Sequence, residues 1–209
     1  CMVVVMGVGA KPVFADDIVI LPPLGKAADA SAVSSALAKA KVGKLASESV
    51  NAACVEDPGC LAKTGSNLNA ARVVAITTQG GGKLDIIVVD VGAKILLGTR
   101  SLTFAPKKLA KELPPALGKL VEDVTLEKAK PLFAEGIDHY NLGEITQALD
   151  RYKLAYQVKA LPAFQFNIAQ CHRKLGQNKE AIAMYQAYLV DVPNAPNKDV
   201  VDSLIAESK

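Results

Sequence analysis

The side chains of this 209-residue sequence that could do chemistry are few and widely spaced. Cys54 and Cys60 stand six apart around Pro58-Gly59, a dipeptide that favours a tight turn and brings two sulfurs close. In an oxidising compartment they form a local disulfide, and its short loop limits the gain to about 2 kcal/mol. A metal site does not fit them. The only histidines, His139 and His172, lie far along the chain, and two thiolates leave a tetrahedral shell half empty. Cys171, beside Ile168 and Ala169 on an apolar helical face, reads as a buried, inert thiol.

A catalytic set does not assemble from what is left. Cys171 and His172 are neighbours on a helix and point in different directions. Asp85 and Asp90 are an odd number of residues apart on a strand, hence on opposite faces. The pairs Ser34-Ser35 and Thr77-Thr78 have no nearby base. Gly80 to Gly82 lies between two strands, lacks a following Lys-Ser/Thr and opens no helix, so it is turn chemistry and not a phosphate loop. The chain is therefore not expected to be an enzyme, and no cofactor is expected. A formal charge of +3, from 24 basic and 21 acidic residues, is too weak a field for nucleic acid, and 5 % aromatic residues without tryptophan leave little for base stacking.

Met2 to Val8 is a short apolar run, broken at Gly9-Ala10-Lys11-Pro12 and followed by Val13-Phe14-Ala15 before Asp16-Asp17. Residues 1–15 read as the remnant of a signal peptide, with cleavage leaving Asp16 first and no transmembrane segment in the mature chain. Two alternatives stay open: a true first strand over Met2 to Val8, and Cys1 as the lipidated first residue of a lipoprotein.

The elements that must position these residues fall into two regions. Ile18 to Leu21, stopped by Pro22-Pro23, suits a buried strand. Ala28 to Ala46 carries Val33, Leu37, Val42 and Leu45 as one apolar stripe of a helix. Cys60 to Leu68 makes a short helix capped from Asp57. Arg72 to Thr78, Lys83 to Val91 and Ile95 to Phe104 are β-branched runs joined by glycine turns, which predicts an antiparallel meander covered by the helix. The expectation is a small α+β domain over 16–104, then a helical linker over 105–125 broken by Pro114-Pro115 into two short helices or a bent one. From 126 to 209 the chain repeats. Gly143 returns as Gly176, Ala148 as Ala181 and Tyr152 as Tyr185, always 33 residues on. Helices are expected over Glu127 to Tyr140, Ile145 to Val158, Phe164 to Lys174 and Asn178 to Leu189. A last amphipathic helix, Lys198 to Ser208, caps the stack.

That period is close to the 34-residue helical hairpin of tetratricopeptide arrays. The block Phe166 to Gly176, followed by Glu180-Ala181-Ile182 and Tyr185 to Leu189, resembles exported tetratricopeptide repeat proteins of myxobacterium-like delta-proteobacteria. The resemblance covers about eighty residues and implies an all-α repeat region. Two units are fewer than the three such arrays usually need, so the capping helix, the linker or a partner must supply the rest. Ile18 to Phe104 is similar to the small α/β domains of the TolB N-terminal and CsgG-like kind, through Leu21-Pro22, the cysteine pair and the strands from Leu84 to Leu97. It departs from them in lacking a clear second strand between Ala46 and Cys54.

Repeats of this kind offer a concave face lined by the first helix of each hairpin. There Asn141, Gln165, Asn167, Gln170 and Arg173 are expected to be exposed, with Asn167, Gln170 and Arg173 sharing a face through their spacing of three. Amides and a guanidinium suit a partner's backbone or carboxylates. The alternative for these residues is an ordinary solvated face. The expected function is a scaffold of the periplasm or cell envelope that docks a protein partner. Alternatives are a structural subunit of an envelope complex, or a small-ligand sensor in the N-terminal domain.

Overall fold

The computed structural model describes residues 18–38 and 42–209. The expected signal-peptide remnant, including Cys1, and the mature start at Asp16 lie outside the described residues. A mixed α/β region is followed by an all-α region, and the chain divides into two compact units between Leu126 and Glu127.

In the N-terminal unit, β1 (Ile18–Ile20), α1 (Ala27–Ala38), β2 (Lys44–Leu45), α2 (Ala52–Val55) and α3 (Pro58–Asn67) precede β3 (Arg72–Gly80), β4 (Lys83–Asp90) and β5 (Ile95–Thr103). The sheet order is β2-β1-β3-β4-β5. The last three strands form the expected antiparallel meander, with Ile76 opposite Ile86 and Ile86 opposite Arg100. At the first hairpin Gly80, Gly81 and Gly82 all have positive φ. A side chain at Gly82 would run into the Phe104 carbonyl, 1.9 Å from its Cβ position, so the turn requires glycine.

The sheet as a whole is not a simple meander. β1 runs parallel to both β2 and β3, which needs crossovers that α1, α2 and α3 provide. The expected helix Ala28 to Ala46 is therefore corrected: α1 is described over Ala27–Ala38, and Lys44–Leu45 is the edge strand. Gly43 shows why. A Cβ there would lie 2.9 Å from the Ile18 carbonyl oxygen, a close backbone approach that brings the chain in beside β1. α3 begins as expected at its Asp57 cap, whose Oδ1 accepts the Gly59 amide at 2.8 Å, with Pro58 in the first turn.

Alternate residues of the strands serve two faces. Val19, Leu21, Val73, Ala75, Val89 and Val91 cluster with Val55, Leu61 and Ala62 of α2 and α3. Gly65 of α3 fits against Val73 and Val91 where a Cβ would not. Ile20, Val74, Ile76, Ile86 and Val88 are buried on the opposite face.

Helix α4 (Leu109–Asn141) is 33 residues long, and it corrects the expected break at Pro114-Pro115. Prolines 114, 115 and 131 offer no amide to the carbonyls of Ala110, Lys111 and Glu127, and all three of those residues are on the exposed side of the helix, where the loss is best tolerated. On its other side Leu109, Leu113, Leu117, Leu120, Val121 and Val124 are buried at helical spacing, which holds the first half in place. Val124 packs on Gly98 of β5.

In the C-terminal unit the end of α4 is followed by α5 (Ile145–Val158), α6 (Pro162–Lys174), α7 (Asn178–Asp191) and α8 (Lys198–Glu207). Proline at the start of α6 lacks the amide that a first turn leaves unbonded. The 33-residue recurrence has a physical counterpart at each point. Gly143 and Gly176 both adopt the left-handed conformation, at φ 81° and 70°. The Glu144 amide donates to the His139 carbonyl at 2.9 Å, as the Gln177 amide does to that of His172. Ala148 and Ala181 are fully buried. Phe133 meets Tyr152 with ring centroids 5.3 Å apart, and Phe166 meets Tyr185 at 5.9 Å. α8 packs through Val201 and Ile205 into the cluster of Phe166, Tyr185 and Tyr188, and the Tyr188 hydroxyl donates to Asn197 Oδ1 at 2.8 Å.

Candidate functional site

The face of α6 and the end of α4 carry the residues singled out for partner docking, and the structure treats them unequally. Gln165 is not exposed. At 4 % accessibility it lies inside the helical layer, where its Nε2 donates to the Tyr156 hydroxyl at 3.1 Å and to Asp191 Oδ2 at 3.0 Å, joining α5, α6 and α7. A buried amide with hydrogen bonds to two helices acts in packing, which corrects its assignment to a docking surface. Asn141 is exposed at the end of α4. Asn167 is half-buried, and its Nδ2 donates to the Ala163 carbonyl one turn back at 2.8 Å. Gln170 is half-buried. Arg173 is also half-buried, and its Nη1 lies 3.7 Å from Glu207 Oε2 of α8.

Two further side chains complete this surface. Lys174 Nζ stands 4.7 Å from the centre of the Tyr140 ring, so an ammonium and a half-buried aromatic join the ends of α6 and α4. Neither residue was singled out for docking from the sequence. The 33-residue offset pairs Asn141 with Lys174 and Tyr140 with Arg173, and that alignment is the signal that finds them. The result is a patch of amides, a guanidinium and an ammonium at the ends of two successive first helices. Arg173 also lies beside Tyr185, whose phenol burial pushes up to about 12 and the guanidinium opposes.

The two histidines occupy matching structural posts. His139 Nδ1 is 2.6 Å from Glu144 Oε2, and His172 Nδ1 is 2.5 Å from Gln177 Oε1. Each ring spans its own inter-helix turn. Cys171, beneath them, is fully buried, and burial raises its thiol to about 12. A thiol held neutral in this way is a poor nucleophile.

Cys54 and Cys60 are joined in a disulfide, with Cα atoms 5.3 Å apart. It links α2, capped by Asn51 Oδ1 on the Cys54 amide at 2.9 Å, to the first turn of α3. The two strand carboxylates do not converge. Asp85 accepts from the Ser101 hydroxyl at 2.5 Å and from Gln79 Nε2 at 2.9 Å, while Asp90 accepts the Ala93 amide at 2.8 Å across the next turn. The Ser101 hydroxyl is the main reason the Asp85 carboxyl stays below its usual range. Among the described residues no three His, Cys, Asp or Glu side chains gather as metal ligands, and no helix is long and apolar enough to cross a membrane.

Comparison with known proteins adds little. No family model matches the chain, and no curated protein does. Among solved structures, TolB from Acinetobacter baumannii superposes with a TM-score of 0.38 at 16 % identity, over 56 % of this chain and 29 % of that one. The chain thus spans under a third of that protein's length.

Proposed function

We propose that the C-terminal unit is a tetratricopeptide-like docking module for a protein partner, and that the chain is an exported scaffold of the periplasm or cell envelope. The observation that carries the proposal is the contact between successive first helices, with the Lys174 ammonium of one 4.7 Å from the centre of the Tyr140 ring of the other. Side chains that a lone hairpin would scatter are held there on one surface by buried alanines and aromatic pairs. Asn167, Gln170, Arg173 and Lys174 present amide and cationic donors, which suit the carboxylates and backbone carbonyls of a peptide segment. Gln165 stiffens the layer behind them. The disulfide supports the exported setting, because such bonds persist in oxidising compartments.

The test is site-specific photocrosslinking in native envelopes with the probe at Gln170, against a control probe at Lys63 on α3. A partner is captured from Gln170 alone, and the yield drops in the Arg173→Ala and Lys174→Ala variants while their circular dichroism is unchanged. A protein that stays uncrosslinked from both positions, or crosslinks equally from both, defeats the proposal. A mature amino terminus at Asp16 in the native protein is the matching check on export.

A further inference from the structure

The sheet of the N-terminal unit ends on an open strand. β5 closes the order β2-β1-β3-β4-β5, and among the described residues no strand pairs with its far side. One bond fixes where its main-chain groups point. The Phe104 amide donates to the Gly82 carbonyl at 3.0 Å, which makes Gly82 and Phe104 a hydrogen-bonded pair. Such pairs alternate along an antiparallel ladder, so Leu102, Arg100 and Gly98 turn their amides and carbonyls toward Leu84, Ile86 and Val88. Thr99, Ser101 and Thr103 turn theirs away from β4. The Arg100 side chain agrees, because its Nη1 donates to the Thr99 carbonyl at 2.9 Å.

This stretch is uncovered. Thr99, Arg100, Ser101 and Thr103 are exposed, and a hollow of about 240 Å³ lies over Asp85, Ile86, Thr99, Arg100 and Ser101. Sheet edges are commonly blunted by proline, by a bulge or by shortness. In β5 the register shift lies toward the other end, where Val88 faces Gly98 and Val89 faces Leu96. From Gly98 to Thr103 the strand is regular and free of proline.

We propose that this edge is a self-association site, at which β5 of a second copy of the chain pairs antiparallel about a twofold axis at Ser101. A second copy is the occupant because the run is self-complementary, as a twofold interface requires. With the axis at Ser101, Thr99 lies opposite Thr103 of the second copy and Ser101 opposite its own equivalent, so every outward residue exchanges hydrogen bonds in pairs. Arg100 comes opposite Leu102, an uncharged neighbour for its aliphatic stem. The other registers are poorer. An axis at Arg100 sets two guanidinium groups opposite each other, one at Thr99 runs into the register shift, and one at Leu102 puts Thr99 against Ala105, beyond the strand. The Thr99 carbonyl keeps a second lone pair for the incoming amide. Thr99 to Thr103 is far fewer residues than the roughly 20–30 a side of a standard interface, so the association is weak and reversible. This pairing lies within the N-terminal unit and does not depend on docking at the helical one.

The test is sedimentation velocity of the full chain from about 1 μM to about 1 mM, with amide hydrogen exchange by NMR on the same samples. A reversible dimer is expected at the high end, with the Thr99, Ser101 and Thr103 amides exchanging fast when dilute and slowly when concentrated. Thr99→Pro, which removes an outward amide and leaves the ladder to β4 intact, abolishes the dimer while its circular dichroism is unchanged. Crosslinking reads the axis. Ser101→Cys forms an intermolecular disulfide, since residues opposite each other in a hydrogen-bonded pair have Cα atoms about 5.5 Å apart, whereas Thr99→Cys stays at the wild-type background. A chain that stays monomeric throughout this range leaves the edge to a foreign strand and overturns the inference. Protection of the three amides at every dilution does so too, because another segment of the chain then covers them. So does an undiminished dimer in folded Thr99→Pro protein, or equal crosslinking of the two cysteine variants.

Discussion

His172 Nδ1 lies 2.5 Å from Gln177 Oε1 across the turn made by Gly176, and His139 takes the same place opposite Glu144 across the turn made by Gly143. The histidines thus share one structural duty, which is to close an inter-helix turn, and they sit on different hairpins instead of facing each other. Those turns set the register of everything behind them.

Replacing Gly176 with alanine puts a side chain at φ 70°, where L residues are strained although the space is open. The expected loss is about 1 kcal/mol by urea denaturation, with Gly176→Asn losing less because asparagine tolerates the left-handed region. Equal losses for the two variants would remove the conformational explanation.

Gly136 is a glycine for a different reason. A Cβ there would lie 2.5 Å from Cδ1 of Tyr152, whose ring is buried. Gly136→Ala should cost about 1–3 kcal/mol through overpacking, although the matching position in the second hairpin, Ala169, already holds an alanine. Chemical denaturation of the single variant decides it, and a neutral result would mean that α4 and α5 are further apart than described.

Removal of the disulfide by Cys54→Ser with Cys60→Ser is expected to lower stability by about 2 kcal/mol, the scale for so short a loop. The remaining described cysteine, Cys171, should react with a thiol reagent only at the rate of unfolding, because it is fully buried. Rapid labelling of native protein would contradict that burial.

Alkali should unfold the helical unit. Burial raises the Cys171 thiol from its usual 9.0 to about 12 and the Tyr185 phenol from 10.0 to about 12. For groups whose folded pKa is raised, the stabilisation is complete below the unfolded value and is lost as pH climbs toward the folded one. Stability should hold to pH 9 and then fall progressively toward pH 12. Cys171→Ala should delay the onset and leave the part due to Tyr185. A pH profile by circular dichroism that stays flat through this range would rule out both contributions.

Gln165→Leu removes the two hydrogen bonds that tie α6 to Tyr156 of α5 and Asp191 of α7. The expected cost is about 1–3 kcal/mol of stability. Partner capture from Gln170 should persist wherever the variant folds, which separates a packing residue from a docking one.

What could be read from the sequence alone was set by local rules. α5 coincides with the expected Ile145 to Val158, and α7 starts at the expected Asn178, because apolar spacing and left-handed glycines act within a few residues. The β3–β4 hairpin was legible for the same reason, through its glycines and β-branched runs. Other features depended on distant neighbours. The strand at Lys44–Leu45 exists because Gly43 lets the backbone close on Ile18, a contact no nearby pattern reveals. α4 continues through Pro114-Pro115 because buried leucines hold one side while the residues that lose a bond, Ala110 and Lys111, are exposed on the other. Gln165 left the expected surface because Tyr156 and Asp191, from two other helices, meet it inside. Local preference thus chose which segments became helix or strand, whereas long-range packing chose how strands paired and which polar side chains reached solvent, since burial depends on residues far away in the chain.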